Sequence, residues 1–179
     1  IFTYKFIMNF MLKIEELDIF ESCLIKLKAF EDHRGTYNKL VSKEILDYFN
    51  FHIEEINFIN SNKNTLRGLH LQDSKKNCSK MYYCLEGSVT SLQLDTRKKS
   101  PSFGQYFDTK LNSINNELLY VPHGIATGFY FQENAKLLYW QSDSYKPGDE
   151  KVFNPSHFVK SLNLNNPIMS DKDKNSLPF

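Results

Sequence analysis

Along most of this chain apolar and polar residues alternate with a period of two, and that alternation predicts a strand-rich fold. After the polar stretch EELD, the segment FESCLIKLKAFEDHRGTYNKL reads as two strands joined by an Asp-His-Arg-Gly turn at 32–35. The pattern then changes: Ile45, Leu46, Phe49 and Phe51 in SKEILDYFNFHI recur at helical spacing and predict one short helix. Beyond it, EEINFIN alternates, NSNKN is a polar turn, and TLRGLHLQ is a strand interrupted by Gly68. KMYYCLEGSVTSLQLDTR predicts a hairpin turning at Glu86-Gly87, and KSPSFGQYFDTKLNSINN adds another strand and a polar turn. ELLYVPHGIATGFYFQENAKLLYWQSDSY supplies three short strands punctuated by Pro122, Gly124, Gly128 and QEN. The tail from Asp149 is rich in Asn, Ser, Pro and Lys and is expected to be loop with one short helical turn. Many short strands at near-even spacing, without an internal repeat, point to an all-β sandwich or barrel of the jelly-roll kind with short flanking helices.

Composition narrows the function classes. A chain of 179 residues is long enough for one domain with a real core. With 22 basic and 21 acidic residues the formal charge is +1, which leaves no electrostatic footprint for nucleic acid or an anionic membrane. The three cysteines, Cys23, Cys78 and Cys84, have no CxxC spacing, so they read as reduced thiols in a cytoplasmic protein rather than as a disulfide frame or zinc site. Near the amino end, Lys5 and Lys13 bracket an apolar stretch too short to span a bilayer, and no signal-type cleavage site follows it. Residues 1–13 are therefore set apart as an extension with no assigned structural role, and 14–179 are read as a single domain.

Candidate chemistry begins at His70. Simple alternation puts Leu66, Gly68, His70 and Gln72 on one strand face, a polar face that suits a lined cavity. Arg67 should point the other way, and reaches the same cavity only if Gly68 introduces a bulge. Taken singly, each candidate has an ordinary alternative. His70 is equally a satisfied half-buried histidine, Lys80 a solvated lysine at a strand start, and Tyr139 in LLYWQ a packed core tyrosine. Arg34 is equally a turn arginine, and Asp173 a surface carboxylate.

In combination these residues resemble the dTDP-4-dehydrorhamnose 3,5-epimerase family of cupin-type nucleotide-sugar epimerases. The resemblance is carried by DHRG at 32–35, LRGLHLQ at 66–72, LEGSVTSLQLDTRKKSPSFGQY at 85–106, YVPHGIATGF at 120–129, LLYWQSDSYKPGDE at 137–150 and SDKD at 170–173. It implies a cupin-type β-barrel acting on a nucleotide-diphosphate 4-keto-6-deoxy sugar, with inversion at C3, C5 or both through an enolate. No cofactor and no metal is implied, because the substrate's own ketone is the electron sink. By motif position, His70 resembles the general base, Asp173 its orienting partner and Tyr139 the acid on the opposite face. Lys80 and Arg67 resemble the groups that stabilise the enolate oxygen or the diphosphate. Arg34, Asn57, Glu150 and Lys172 match substrate-binding positions, and Tyr145 matches an aromatic that stacks on the nucleotide base.

The chain also departs from the family pattern. Thr127 stands where AHGF would carry a histidine expected to touch substrate. Lys39 replaces an acidic residue, Glu55 stands where glutamine is common, and ERGIxWND has become EKVFNPSHF. These departures keep other readings open. One is a monofunctional 3- or 5-epimerase, or a keto-isomerase, on a CDP- or GDP-sugar. Another is a non-catalytic cupin that binds a sugar nucleotide. A metal-dependent cupin dioxygenase is disfavoured, since the clustered histidines of such iron sites are missing. The resemblance further implies a cytoplasmic homodimer with an exchanged strand, serving surface polysaccharide (capsule or lipopolysaccharide) synthesis.

Overall fold

The structure, a computed structural model, describes residues 4–6, 13–73 and 77–179. In chain order the first elements are β1 (Tyr4–Phe6), β2 (Lys13–Glu16), β3 (Cys23–Lys26), β4 (Ala29–Asp32), β5 (Gly35–Asn38) and α1 (Lys43–Tyr48). There follow β6 (Glu55–Ser61), β7 (Thr65–Gln72), β8 (Lys80–Glu86), β9 (Ser88–Asp95) and β10 (Tyr106–Asn112). The chain ends with β11 (Glu117–Val121), β12 (Ile125–Phe131), β13 (Ala135–Gln141), β14 (Glu150–Val152), α2 (Ser156–Ser161) and α3 (Asp171–Lys174). Of the extension set apart above, Tyr4–Phe6 pairs with β2, and most of the rest lies outside the described residues.

Two antiparallel sheets face each other, as the alternation anticipates. One runs β1-β2-β3-β11-β8-β13-β6 and the other β10-β9-β12-β7-β14, while β4 and β5 form a separate hairpin. Period-two patterning sorts the side chains into three apolar layers. Val89, Phe129, Phe131, Leu119 and Leu137 fill the space between the sheets. The outer face of the larger sheet carries Met81, Tyr83 and Trp140, covered by Ile45 of α1 and by Phe51. The outer face of the smaller sheet carries Leu66, Leu69, Leu92 and Leu94, covered by Phe158 of α2. Helix α1 is the one anticipated, started by Ser42, whose side chain accepts a hydrogen bond from the Ile45 N–H.

Several expectations are corrected. The segment 20–40, expected as two strands, forms three, because β3 joins the larger sheet before the chain leaves it for the β4–β5 hairpin. Strands β8 and β9 do turn at Gly87, yet they pair in different sheets, so the turn is a corner between layers and not a ladder hairpin. Gly87 has φ +75°, and a Cβ there would lie 2.7 Å from the Asn134 carbonyl oxygen, so this corner packs directly on the one joining β12 to β13. The tail is more ordered than its composition suggests: β14 pairs with β7, and α2 and α3 follow. Its apolar residues, Phe153, Phe158, Val159, Leu162 and Leu164, bury against the smaller sheet, and that tertiary packing overrides a loop-like composition.

Candidate active site

Gly68 decides which side chains of β7 face the cavity. Thr127 of β12 pairs with His70, but Phe129 pairs with Arg67, so Gly128 alone opposes Gly68 and Leu69. This is the bulge on which the joint orientation of Arg67 and His70 depends. Gly68 has φ +103°, and a Cβ there would come 2.7 Å from the Gly128 Cα, so both conformation and space require glycine. The extra residue resets the alternation. Leu66 and Leu69 turn into the outer layer, correcting the expectation that Leu66 shares a face with His70, while Arg67 and His70 both line the cavity.

That cavity, about 580 Å³, lies between the sheets and is lined by His70, Arg67, Lys80, Tyr139, Thr127 and Asp173 among others. Asp173 arrives from the far end of the chain. Ile168 N–H donates to the Asn64 carbonyl at 2.7 Å and the Ile168 carbonyl accepts from Leu66 N–H at 2.9 Å, which pins the tail to the start of β7. Ser170 caps α3 by accepting from the Asp173 N–H at 3.1 Å. The Asp173 carboxylate is then placed 2.7 Å from His70 Nε2 and accepts from the Gly68 N–H at 3.3 Å. Burial alone would raise this carboxyl's pKa, but the hydrogen bond and charge of His70, with the Gly68 and Ser170 donors, hold it below its ordinary value. An ionised carboxylate can only accept, so Nε2 is the donor in this pair and Nδ1 is the ring nitrogen directed away from Asp173. Glu150 Oε1 lies 3.6 Å from Nδ1.

Tyr139 projects inward from β13 in the opposite sheet, directly across from Asn57 on β6. Burial raises its phenol pKa, and the nearby Glu55, Cys78 and Glu150 add to the rise, so it stays protonated at neutral pH. Asn57 Nδ2 is buried with no hydrogen-bond partner among the described residues. Burial lowers the Lys80 pKa, opposed by Cys78 and Glu150; a desolvated ammonium of this kind gains most from a negative charge brought to it. Arg67 is held in place by donating from Nε to Ser61 Oγ at 2.8 Å. Thr127 is buried and donates to the Ile125 carbonyl at 3.3 Å.

At the rim, Glu150 accepts from Lys172 and, at 3.0 Å, from the hydroxyl of Tyr145. The Tyr145 ring is 50% exposed and open to a flat partner. Arg34 is not brought to this cavity within the chain. It sits at the tip of the β4–β5 hairpin with its side chain 78% exposed, paired with Asp32 at 2.7 Å. Sequence reasoning missed Tyr82, which lines the same cavity; its place two residues from Lys80 on β8 was the available signal. Among the described residues no group of three or more His, Cys, Asp or Glu side chains is arranged to hold a metal ion, and Cys23, Cys78 and Cys84 are free and buried. No helix among the described residues is long and apolar enough to cross a membrane.

A family model described as dTDP-4-dehydrorhamnose 3,5-epimerase matches residues 16–179. The dTDP-4-dehydrorhamnose 3,5-epimerase of Shigella flexneri is 30% identical over 177 residues, covering 94% of this chain and 96% of that one. The crystal structure of dTDP-4-dehydrorhamnose 3,5-epimerase from Elizabethkingia anophelis superposes with a TM-score of 0.84 at 29% identity, covering 95% of this chain and 97% of that one. The Legionella pneumophila dTDP-6-deoxy-D-glucose-3,5-epimerase, solved in complex with dTDP-4-keto-L-rhamnose, gives 0.83 at 27% identity over 93% of this chain and 92% of that one.

Proposed function

Since the chain belongs to the dTDP-4-dehydrorhamnose 3,5-epimerase family, we propose that it inverts C3, C5 or both of a nucleotide-linked 4-keto-6-deoxy sugar, with a dTDP-sugar as the first substrate to test. One observation carries this reading. The His70–Asp173 pair and the Tyr139 phenol line one cavity from opposite sheets, the arrangement needed to remove a proton from one face of a carbon and return one to the other.

The C4 ketone acidifies the hydrogens on its neighbouring carbons. His70 Nδ1 takes one, Asp173 steadies the resulting imidazolium, and the electron pair moves onto the C4 oxygen. Lys80 faces that developing oxyanion; a fixed donor of this type lowers a barrier by roughly 3–4 kcal/mol. Tyr139 then gives its proton to the opposite face of the carbon. Arg67 at the cavity wall suits the diphosphate, and the exposed Tyr145 ring suits the nucleotide base.

The exposed Arg34 hairpin fits a homodimer in which each chain lends this arm to its partner's cavity. Cytoplasmic synthesis of a surface polysaccharide is the setting this chemistry fits. The small Thr127 side chain favours a second reading, inversion at a single centre only, because a second proton transfer needs its own correctly placed groups. Proton NMR of a dTDP-4-keto-6-deoxyglucose incubation tests the main reading directly. New signals from a C3- or C5-inverted sugar are expected, one set or two deciding between the readings, and an unchanged spectrum overturns it.

A further inference from the structure

Two donors share one strand face beside the reacting centre. Lys80 and Tyr82 are alternate residues of β8, and both line the cavity. The Tyr82 ring is fixed from two directions. It lies near-parallel to its cross-strand partner Tyr139, centroids 5.3 Å apart at 29°, and it tilts against Phe129 of the opposite sheet at 4.7 Å. The Thr127 side chain lies beside its hydroxyl, across the gap between the sheets. The short side chain at 127 leaves the space that the phenol occupies, so Tyr82 forms a polar inner wall of the cavity. Burial, with the neighbouring Tyr139 and Cys78, keeps its pKa well above the ordinary phenol value, while Thr127 pulls weakly the other way. The phenol is therefore a neutral O–H donor at every working pH.

We propose that Tyr82 is a further catalytic residue: its hydroxyl, held in the cavity by the ring contacts to Tyr139 and Phe129, donates a hydrogen bond to the sugar's C4 oxygen as the enolate forms, sharing that oxygen with the Lys80 ammonium. This inference rests on the epimerase reading and deepens it. No proton leaves Tyr82; His70 takes one and Tyr139 returns one, so the balance of the reaction is unchanged. A donor aimed where charge appears only during reaction acts on kcat and leaves substrate binding almost untouched.

The test is the kinetics of Tyr82→Phe, which removes one oxygen and keeps the ring stack on Tyr139. We expect kcat to fall roughly 100-fold with KM within about threefold, and deuterium uptake from solvent at the reacting carbon to slow in proportion. A Tyr82→Phe protein with wild-type kcat, or with a defect confined to KM, overturns the inference while an active wild type leaves the epimerase reading standing. A wild type that turns over no nucleotide-linked 4-keto sugar overturns both.

Discussion

His70 Nε2 sits 2.7 Å from Asp173 Oδ1, two residues 103 positions apart in the sequence, brought together by the cap on α3 and the bulge at Gly68. The carboxylate fixes the imidazole's tautomer as well as its position. Asp173→Asn keeps the shape but presents an amide, which can hold the ring with its proton on the wrong nitrogen. By analogy with other His–carboxylate pairs, kcat should fall by roughly 10³–10⁴-fold. Steady-state turnover, with a thermal melt to confirm folding, checks this; a loss under tenfold would mean that Asp173 does not set the tautomer.

Tyr139→Phe should separate proton removal from inversion. His70 can still form the enolate, and without an acid on the far face the proton returns from the side it left. Deuterium should therefore enter unreacted sugar while the inverted product falls by at least about 100-fold. NMR in D2O reads both quantities in one sample. Parallel loss of exchange and inversion would remove Tyr139 from the acid's role.

Arg34 tests the proposed exchange of arms. Arg34→Ala should leave the thermal melt unchanged, given its exposure, yet abolish most activity. Mixing Arg34→Ala with His70→Ala chains, after co-refolding, should restore roughly a quarter of wild-type activity, because half the dimers are mixed and each holds one intact site. No restoration would mean that each arm serves its own chain.

The segment LDTRKKSPSFG supports the structure and lies outside the cavity that His70 and Tyr139 line. Asp95 is buried and accepts from Arg97 Nε at 3.0 Å and Ser102 Oγ at 2.6 Å. Burial opposes ionisation, but donors from Arg97, Ser100 and Ser102 prevail and bring the pKa from 3.8 down to about 2. A depressed folded-state pKa stabilises the fold above the unfolded value, and that stability is lost as pH falls through the folded one. Asp95→Asn should thus cost about 2 kcal/mol at pH 7, with the gap from wild type closing between pH 4 and pH 2. Urea midpoints across that range decide it; a gap independent of pH would assign the loss to packing.

Much of this was legible in the sequence, and the exceptions have physical causes. Period-two alternation located β6, β7, β10, β11, β12 and β13, and Gly68 marked the bulge that brings Arg67 and His70 to one cavity. Alternation alone sent Leu66 to the wrong face, because whether a glycine interrupts a ladder depends on the neighbouring strand. Gly87 announced a turn, but whether the chain turns within a sheet or between sheets is set by the packing of Ala135 and Asn134 against it. The tail read as loop since its order comes from contacts with the smaller sheet. Tyr82 shares a strand face with Lys80, but that spacing does not tell whether an inward tyrosine packs or borders a cavity, which is set by the facing strands.

Solvent exchange at the carbons flanking the ketone tests the central claim most directly. In D2O, wild-type protein given dTDP-4-keto-6-deoxyglucose should place deuterium at C3, C5 or both at the rate of turnover, and His70→Ala should place none above the spontaneous background. A wild type that leaves both positions protiated, or a His70→Ala protein that exchanges as fast, would contradict the account.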